Sequence, residues 1–236
     1  MTEREKQVIL DKAKAFIRDR IAQNHNRNTE KLKDISEFIV NPFLIKYLAQ
    51  FAFGNSSPRS MAKVLIFPRV LGTSITTSFG TNIQYFCKDV LSAYASFTDG
   101  IDIEFIDALD NRRKFCQVKA GPNNINRDDI VVIKNHFREL INRGRANGAR
   151  VLTDDCMVGI LYGQPLDLNA HYQKIANDYP VVIGRDFWYH LTGDNDFYDD
   201  LISAFEEVAD EMDSSALLQE TIDSLAAQID EMQQNG

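Results

Sequence analysis

Apolar positions recur at helical spacing over residues 3–23, where Val8, Ile9, Ala13, Phe16, Ile17 and Ile21 fall on one side of the chain. The polar run NHNRN at 24–28 is expected to end that helix, and a second helical segment to cover 29–39. Asn41-Pro42 restarts the chain ahead of FLIKYLAQFAF, with Pro42 suited to a first helical turn because it has no amide hydrogen to place. GNSSPRS at 54–60 predicts a loop, and the apolar stretch 59–71 is interrupted by Pro68. GTSITTSFGTN at 72–82 predicts a loop of small hydroxyl side chains leading into a helix over 82–95.

The period then changes. IDIEFIDAL at 101–109 begins with strict alternation, DNRR at 110–113 reads as a turn, and KFCQVKAG at 114–121 as the return strand. PNNINRDD is a loop, with Asn126 or Asp128 as the cap of a helix that runs to about Arg145. Ile130, Ile133, Phe137, Leu140 and Ile141 form the apolar stripe of that helix. CMVGILYG (156–163) and PVVIG (180–184) predict two more strands, with the short helix NAHYQKIAND between them. RDFWYHLTG adds a helical turn whose Phe187 and Trp188 suit the core, and 197–234 is helical. The order α-β-β-α-β-α-β, flanked by helical additions, predicts an α/β fold with a mixed sheet between helices. Three consecutive regions are expected: a helical N-terminal region 1–71, a core 72–193 and a helical tail 194–236.

Composition narrows the class. With 236 residues, 44% hydrophobic, the chain can bury one sizeable core. It has no apolar run of about 18 residues, so no membrane span is expected. Its first residues are charged and amphipathic, unlike a signal peptide. Cys87, Cys116 and Cys156 sit in apolar contexts and read as reduced thiols of a cytoplasmic protein. No CxxC or paired-histidine pattern points to zinc. The net charge of −8 hides an asymmetry: residues 111–150 hold ten basic and three acidic side chains, residues 151–236 two and eighteen. The basic block surrounds the return strand, where a local positive field suits a polyanion.

That strand breaks its own apolar pattern. With a two-residue turn at Asp110-Asn111 or Asn111-Arg112, Lys119 falls opposite Asp102 or opposite Glu104. In either register Asp102, Glu104, Gln117 and Lys119 share one face, while Ile101, Ile103, Phe105, Cys116 and Val118 share the other. Two acids, an amide and an ammonium then converge. One account is a cross-strand salt bridge from Asp102 or Glu104 to Lys119. The other is a divalent-metal phosphodiesterase site, in which carboxylates hold the ion and the lysine neutralises charge at the phosphate.

The segment DGIDIEFIDALDNRRKFCQVKAGPN resembles the PD-(D/E)xK nuclease superfamily, with Asp102 ahead of the first strand and QVK (117–119) in place of the (D/E)xK triplet. Together with VVIGRDFWYHLTGD it is similar to type II restriction endonucleases, in particular the branch whose sites have a GGNCC core. The resemblance covers residues 72–193 and implies a restriction-endonuclease-like core. It also implies an enzyme that hydrolyses double-stranded DNA with Mg²⁺ at a defined sequence. Asp102, Gln117, Lys119 and Glu104 are then the catalytic candidates, and Asp102, Gln117 and the carbonyl of Val118 the metal ligands. Gln117 stands where the family usually has an acid, and its amide offers only a neutral oxygen; Glu104 is the candidate for the second carboxylate.

Other segments suit DNA. Ser74 and Thr76 offer hydroxyls to phosphates. Asn123, Asn124 and Arg127 follow the lysine strand and carry the donor and acceptor pairs that read base edges. Lys134 and Arg138 follow the backbone or are simply solvated. In the tail, Leu218, Ile222, Leu225, Ile229 and Met232 form a heptad seam. Cutting both strands of a symmetric site favours a homodimer, with the acidic tail docked on the basic block instead of forming a free coiled coil. Two alternatives remain: a repair or junction-cleaving nuclease of the same fold, and a non-catalytic DNA-binding module with a decayed metal site.

Overall fold

The computed structural model describes residues 1–234, and their side chains except those of Ser74 and Ala93. In chain order the helices are α1 (Glu3–Phe16), α2 (Gln23–Lys31), α3 (Ile45–Phe53), α4 (Pro58–Pro68), α5 (Ile75–Thr81) and the single turn α6 (Ile83–Tyr85). Then come strands β1 (Ile103–Ile106) and β2 (Arg113–Lys119), helix α7 (Arg127–Ala146), β3 (Cys156–Ile160), α8 (Ala170–Ala176) and β4 (Val181–Ile183). Helices α9 (Arg185–Thr192), α10 (Phe197–Glu211) and α11 (Ser215–Gln234) complete the chain. The chain forms two compact units of interleaved segments, Met1–Phe16 with Gly80–Glu206, and Ile17–Phe79 with everything from Glu207 onward.

The first unit holds a four-stranded mixed sheet in the order β1-β2-β3-β4. The β1–β2 pair is antiparallel, and β2–β3 and β3–β4 are parallel. Helices α7 and α8 make the two parallel crossovers, so this is the α/β arrangement that the element order predicts. Strand β3 is buried at every residue, as a central parallel strand covered on both faces must be. On one face Ile133, Phe137 and Leu140 of α7 pack with Val158, Ile160, Tyr172 and Ile175. Phe137 is fully buried there, and its loss to alanine would cost about 3–5 kcal/mol. Ile101, expected on the opposite face, joins this α7 cluster because it precedes the strand.

On the opposite face Gly159 lets the Phe187 ring lie against the sheet; a Cβ there would be 2.2 Å from that ring. Trp188 packs edge-on to Phe86 and Phe187 and donates its indole N–H to the Leu161 carbonyl at 2.9 Å. Both aromatics are core anchors, as their apolar setting suggests. Phe16 of α1 meets Phe86 at 5.2 Å, which seats the N-terminal helix on this unit. The three cysteines are free and buried.

The hairpin turn is longer than the two residues expected. Asp107 N–H donates to the Arg112 carbonyl, and Asn111 takes the left-handed conformation at φ 56. The Asp107 carboxylate is drawn inward, where it accepts from Leu109 N–H at 2.9 Å and meets His190 Nδ1 at 2.8 Å. This loop shifts the register: Ile103 pairs with Cys116, and one step further on Asp102 aligns with Gln117, not Lys119. Within the strands themselves the two faces are unaffected, because the shift is by an even number of residues. Helix α7 is capped by Asn126, whose Oδ1 accepts from Asp128 N–H at 2.7 Å, while Asp129 returns a bond to Asn126 N–H.

The second unit is helical among its described residues. Two segments expected as irregular are helical. Residues 24–28 lie inside α2, and 72–82 is mostly helical, through a π-helical stretch Arg69–Ser74 and α5. Hydroxyls in the second segment bond back along the helix, Thr76 to the Gly72 carbonyl. Helix α4 starts on Ser57, whose Oγ accepts from Ser60 N–H at 3.3 Å, with Pro58 at the first position.

The tail seam packs on α4: Ile222, Leu225 and Ile229 are buried with Met61, Ala62, Ile66 and Val70. Met232, the last seam residue, is exposed. Two acidic side chains of α11 find partners within this unit, Glu220 with Lys33 at 2.8 Å and Asp223 with Arg59. No helix among the described residues is long and apolar enough to cross a membrane.

Candidate active site

Asp102 stands at the start of β1, where the antiparallel ladder runs out. Its N–H donates to the Cys116 carbonyl at 3.0 Å. Its Oδ2 accepts the N–H of Val118 at 2.7 Å, a donor that a longer β1 would have paired with backbone. A strand residue presents its N–H and C=O on one edge, so the Val118 carbonyl also lies on the Asp102 side of β2. Burial raises the Asp102 pKa above the usual carboxylate value, and the Val118 bond and the nearby charge of Lys119 oppose that rise.

Lys119 ends β2 beside Ile160 of β3 and is partly exposed. Among the described residues it makes no hydrogen bond or ion pair, so its ammonium is available to a ligand. Buried Gln117 donates its amide to the Gly100 carbonyl at 2.6 Å and lies 2.9 Å from His136 Nδ1. Two donor contacts on the amide nitrogen leave Oε1 as its acceptor end.

Glu104 shares the face but not the cluster. Its Oε1 accepts from Ser96 at 2.6 Å and Thr98 at 3.1 Å, and its Oε2 pairs with Arg113 at 3.2 Å. The salt bridge anticipated for this face is thus made by Arg113, not Lys119. Among the described residues no three of His, Cys, Asp and Glu come together to hold a metal. The candidate ligands are hard oxygens: the Asp102 carboxylate, the Gln117 amide oxygen and the Val118 carbonyl. They fit Mg²⁺ in kind, with one formal negative charge.

The DNA-contact candidates are dispersed. Asn123 and Arg127 are exposed just beyond β2. Asn124 lies against Gly121, where a Cβ would come 2.9 Å from its Oδ1. Arg138 is exposed on α7. Lys134 instead donates to the Lys174 carbonyl at 2.8 Å and pairs with Asp178, which ties α7 to α8. Thr76 spends its hydroxyl within its own helix and belongs to the second unit. Ser74 lies outside the residues whose side chains are described.

Two participants escape the sequence pattern. His136 covers Gly100 so closely that a Cβ there would fall 2.4 Å from the ring, and φ 75 at Gly100 favours glycine as well. Cys87 is the other: its thiol is pushed up by burial, and it lies close enough to sense the charges of Asp102 and Lys119. No spacing rule connects residue 136 or 87 to the hairpin; only the α7 stripe, which sets Ile133 and Phe137 inward, hints that His136 lies at its margin.

Residues 11–213 match the family model described as type II restriction endonuclease EcoO109I. No curated protein matches the chain.

Proposed function

The chain belongs to the EcoO109I family of type II restriction endonucleases, and from that premise we propose that the β1–β2 hairpin is its catalytic centre and that it cuts both strands of DNA with Mg²⁺ as a homodimer. The observation that supports this most is a half-buried Asp102, held by Val118 N–H, at the same end of the sheet as a Lys119 that has no hydrogen bond or ion pair among the described residues.

Asp102, with Gln117 Oε1 and the Val118 carbonyl, would hold the ion. When bound, Mg²⁺ polarises the phosphate and acidifies water. Val118 N–H fixes the Asp102 carboxylate, so no rotamer search precedes binding. Lys119 donates to the phosphate oxygens on which negative charge grows as water attacks phosphorus and the ester P–O bond breaks. Glu104 acts through structure, holding Ser96 and Thr98 in the segment before β1. Asn123, Asn124 and Arg127, next to the lysine strand, read base edges, and Arg138 follows the phosphates. We assign the recognition sequence to those with a GGNCC core. Digestion of a sequenced plasmid with Mg²⁺, followed by mapping of the ends, tests the reading: cuts at one repeated sequence are expected, and random nicks or intact DNA would refute it.

One observation favours a second reading. With Glu104 engaged by Arg113, Ser96 and Thr98, Asp102 is the one carboxylate of the cluster among the described residues. A DNA-binding module without catalysis would look the same, and would retain its DNA while leaving it whole in Mg²⁺ or Mn²⁺.

A further inference from the structure

We propose that the start of α8 clamps the loop at residues 121–126 into one shape, and that this clamp, centred on the Tyr172 hydroxyl, sets how well Asn123 and Asn124 discriminate between DNA sequences. Its role in recognition rests on the function proposed above; the clamp itself does not. The loop follows the lysine strand as GPNNIN, a composition that gives a backbone little side-chain packing of its own. Its carbonyls are nevertheless held from several sides. Asn124 N–H donates to the Gly121 carbonyl at 3.3 Å and closes a turn over Pro122. The Tyr172 hydroxyl donates to the same carbonyl at 3.1 Å. Asn169 N–H donates to the Pro122 carbonyl at 3.3 Å, and its Nδ2 to the Ile125 carbonyl at 3.4 Å.

Side chains complete the clamp. Ile125 is buried in the same cluster as Tyr172. Tyr162, at the end of β3, lies over Gly121, where a Cβ would fall 2.5 Å from its ring and hydroxyl. Gly121, Pro122 and Ile125 are thus buried, while Asn123 and Asn124 stay exposed. The Tyr172 ring is itself 0% exposed. Phenylalanine would fill that space without a hydroxyl to satisfy, whereas a buried phenol needs an acceptor. Here the acceptor is a loop carbonyl 51 positions away. Asn169 divides its amide in the same way: Oδ1 caps α8 by accepting from His171 and Tyr172 N–H at 2.9 and 3.2 Å, while Nδ2 reaches the loop. A loop already ordered incurs no ordering cost when its side chains meet the right base edges, and it cannot adapt to wrong ones. Phosphate contacts, which carry non-specific binding, do not depend on it.

Tyr172→Phe keeps the ring and removes one donor. Asn169→Asp keeps the α8 cap and removes the donor to Ile125. Hydrogen–deuterium exchange of the full chain, without DNA, should show the amides of residues 123–126 exchanging at least about fivefold faster in both variants, with β2 and β3 unchanged. Binding without divalent metal should then be measured to a duplex carrying the mapped cut sequence and to a scrambled duplex. The ratio of the two affinities should fall about tenfold in Tyr172→Phe, with affinity for the scrambled duplex unchanged. Tyr179→Phe, which removes a hydroxyl at the margin of the same cluster, should change neither readout. Unchanged loop exchange in both variants would overturn the clamp, even if Tyr172→Phe lowers the melting temperature. Faster exchange with undiminished discrimination would overturn its role in recognition. A wild type that cuts at no defined sequence would instead refute the function proposed above, and loop exchange alone would then decide the clamp.

Discussion

The amide nitrogen of Gln117 lies 2.9 Å from Nδ1 of His136, and the same nitrogen donates to the Gly100 carbonyl. An amide N–H can only donate, so the bonded Nδ1 is unprotonated and Nε2 carries the hydrogen. His136 thereby sets which way Gln117 points, and with it where the amide oxygen is offered.

Exchanging the amide for a carboxylate tests that orientation. Gln117→Glu loses the donor to Gly100 O and sets two acceptors face to face, so the melting temperature should fall, by the equivalent of about 1–3 kcal/mol. The added charge should at the same time tighten apparent Mg²⁺ affinity for cleavage. His136→Ala should weaken Mg²⁺ dependence without changing DNA affinity in the absence of metal. A metal titration identical to wild type in both variants would remove position 117 from the ligand set.

The raised pKa of Asp102 has two effects of known sign. Cleavage needs the carboxylate ionised, so activity should fall off on the acid side at higher pH than an ordinary aspartate would give. Stability runs the other way: ionisation in the fold is penalised, and that penalty grows as pH rises from the unfolded value through the folded one. Asp102→Asn should therefore be inactive yet at least as heat-stable as wild type at neutral pH. Thermal melts and plasmid cleavage across a pH series check both, and an active Asp102→Asn would refute the assignment.

Salt dependence separates the cations of α7. Arg127 and Arg138 are exposed, so their replacement should weaken DNA binding, and a lost phosphate contact should flatten the slope of log K against log salt by about 0.9. Arg127→Ala should cost affinity for the target more than for random DNA. Lys134→Ala should leave the slope unchanged and lower thermal stability, because its ammonium joins α7 to Asp178 and Lys174 of the α8 region. Binding isotherms at several salt concentrations distinguish them.

The tail is part of the second unit's core. Leu225→Ala removes a fully buried side chain between α11 and α4 and should cost about 2–5 kcal/mol. Truncation after Met212 removes the whole seam and should expose Met61 and Ile66, giving loss of helical circular dichroism and aggregation. A truncated chain as stable as the intact one would contradict this packing.

Alternation within the two strands was enough to set Glu104, Gln117 and Lys119 on one face, because a strand has only two faces and an even shift of register cannot exchange them; residues 101 and 102 precede β1, and Ile101 left its expected face. The α7 stripe and the Asn126 cap were legible for a similar reason: each depends on residues within one or two turns. Register was not local. It followed from Asp107 turning inward to His190, 83 positions along the chain. Nor could periodicity show that Glu104 would be taken by Arg113 and not by Lys119, since both pairings satisfy the same charges. The polar run at 24–28 and the hydroxyl-rich run at 72–82 read as breaks by propensity, which is worth only tenths of a kcal/mol per residue. The surrounding helices, and hydroxyls bonded back along the chain, outweighed it. The tail's apolar seam was plain in its spacing, but the identity of its partner, α4, was decided by tertiary packing, because a heptad pattern specifies an apolar stripe and not what covers it.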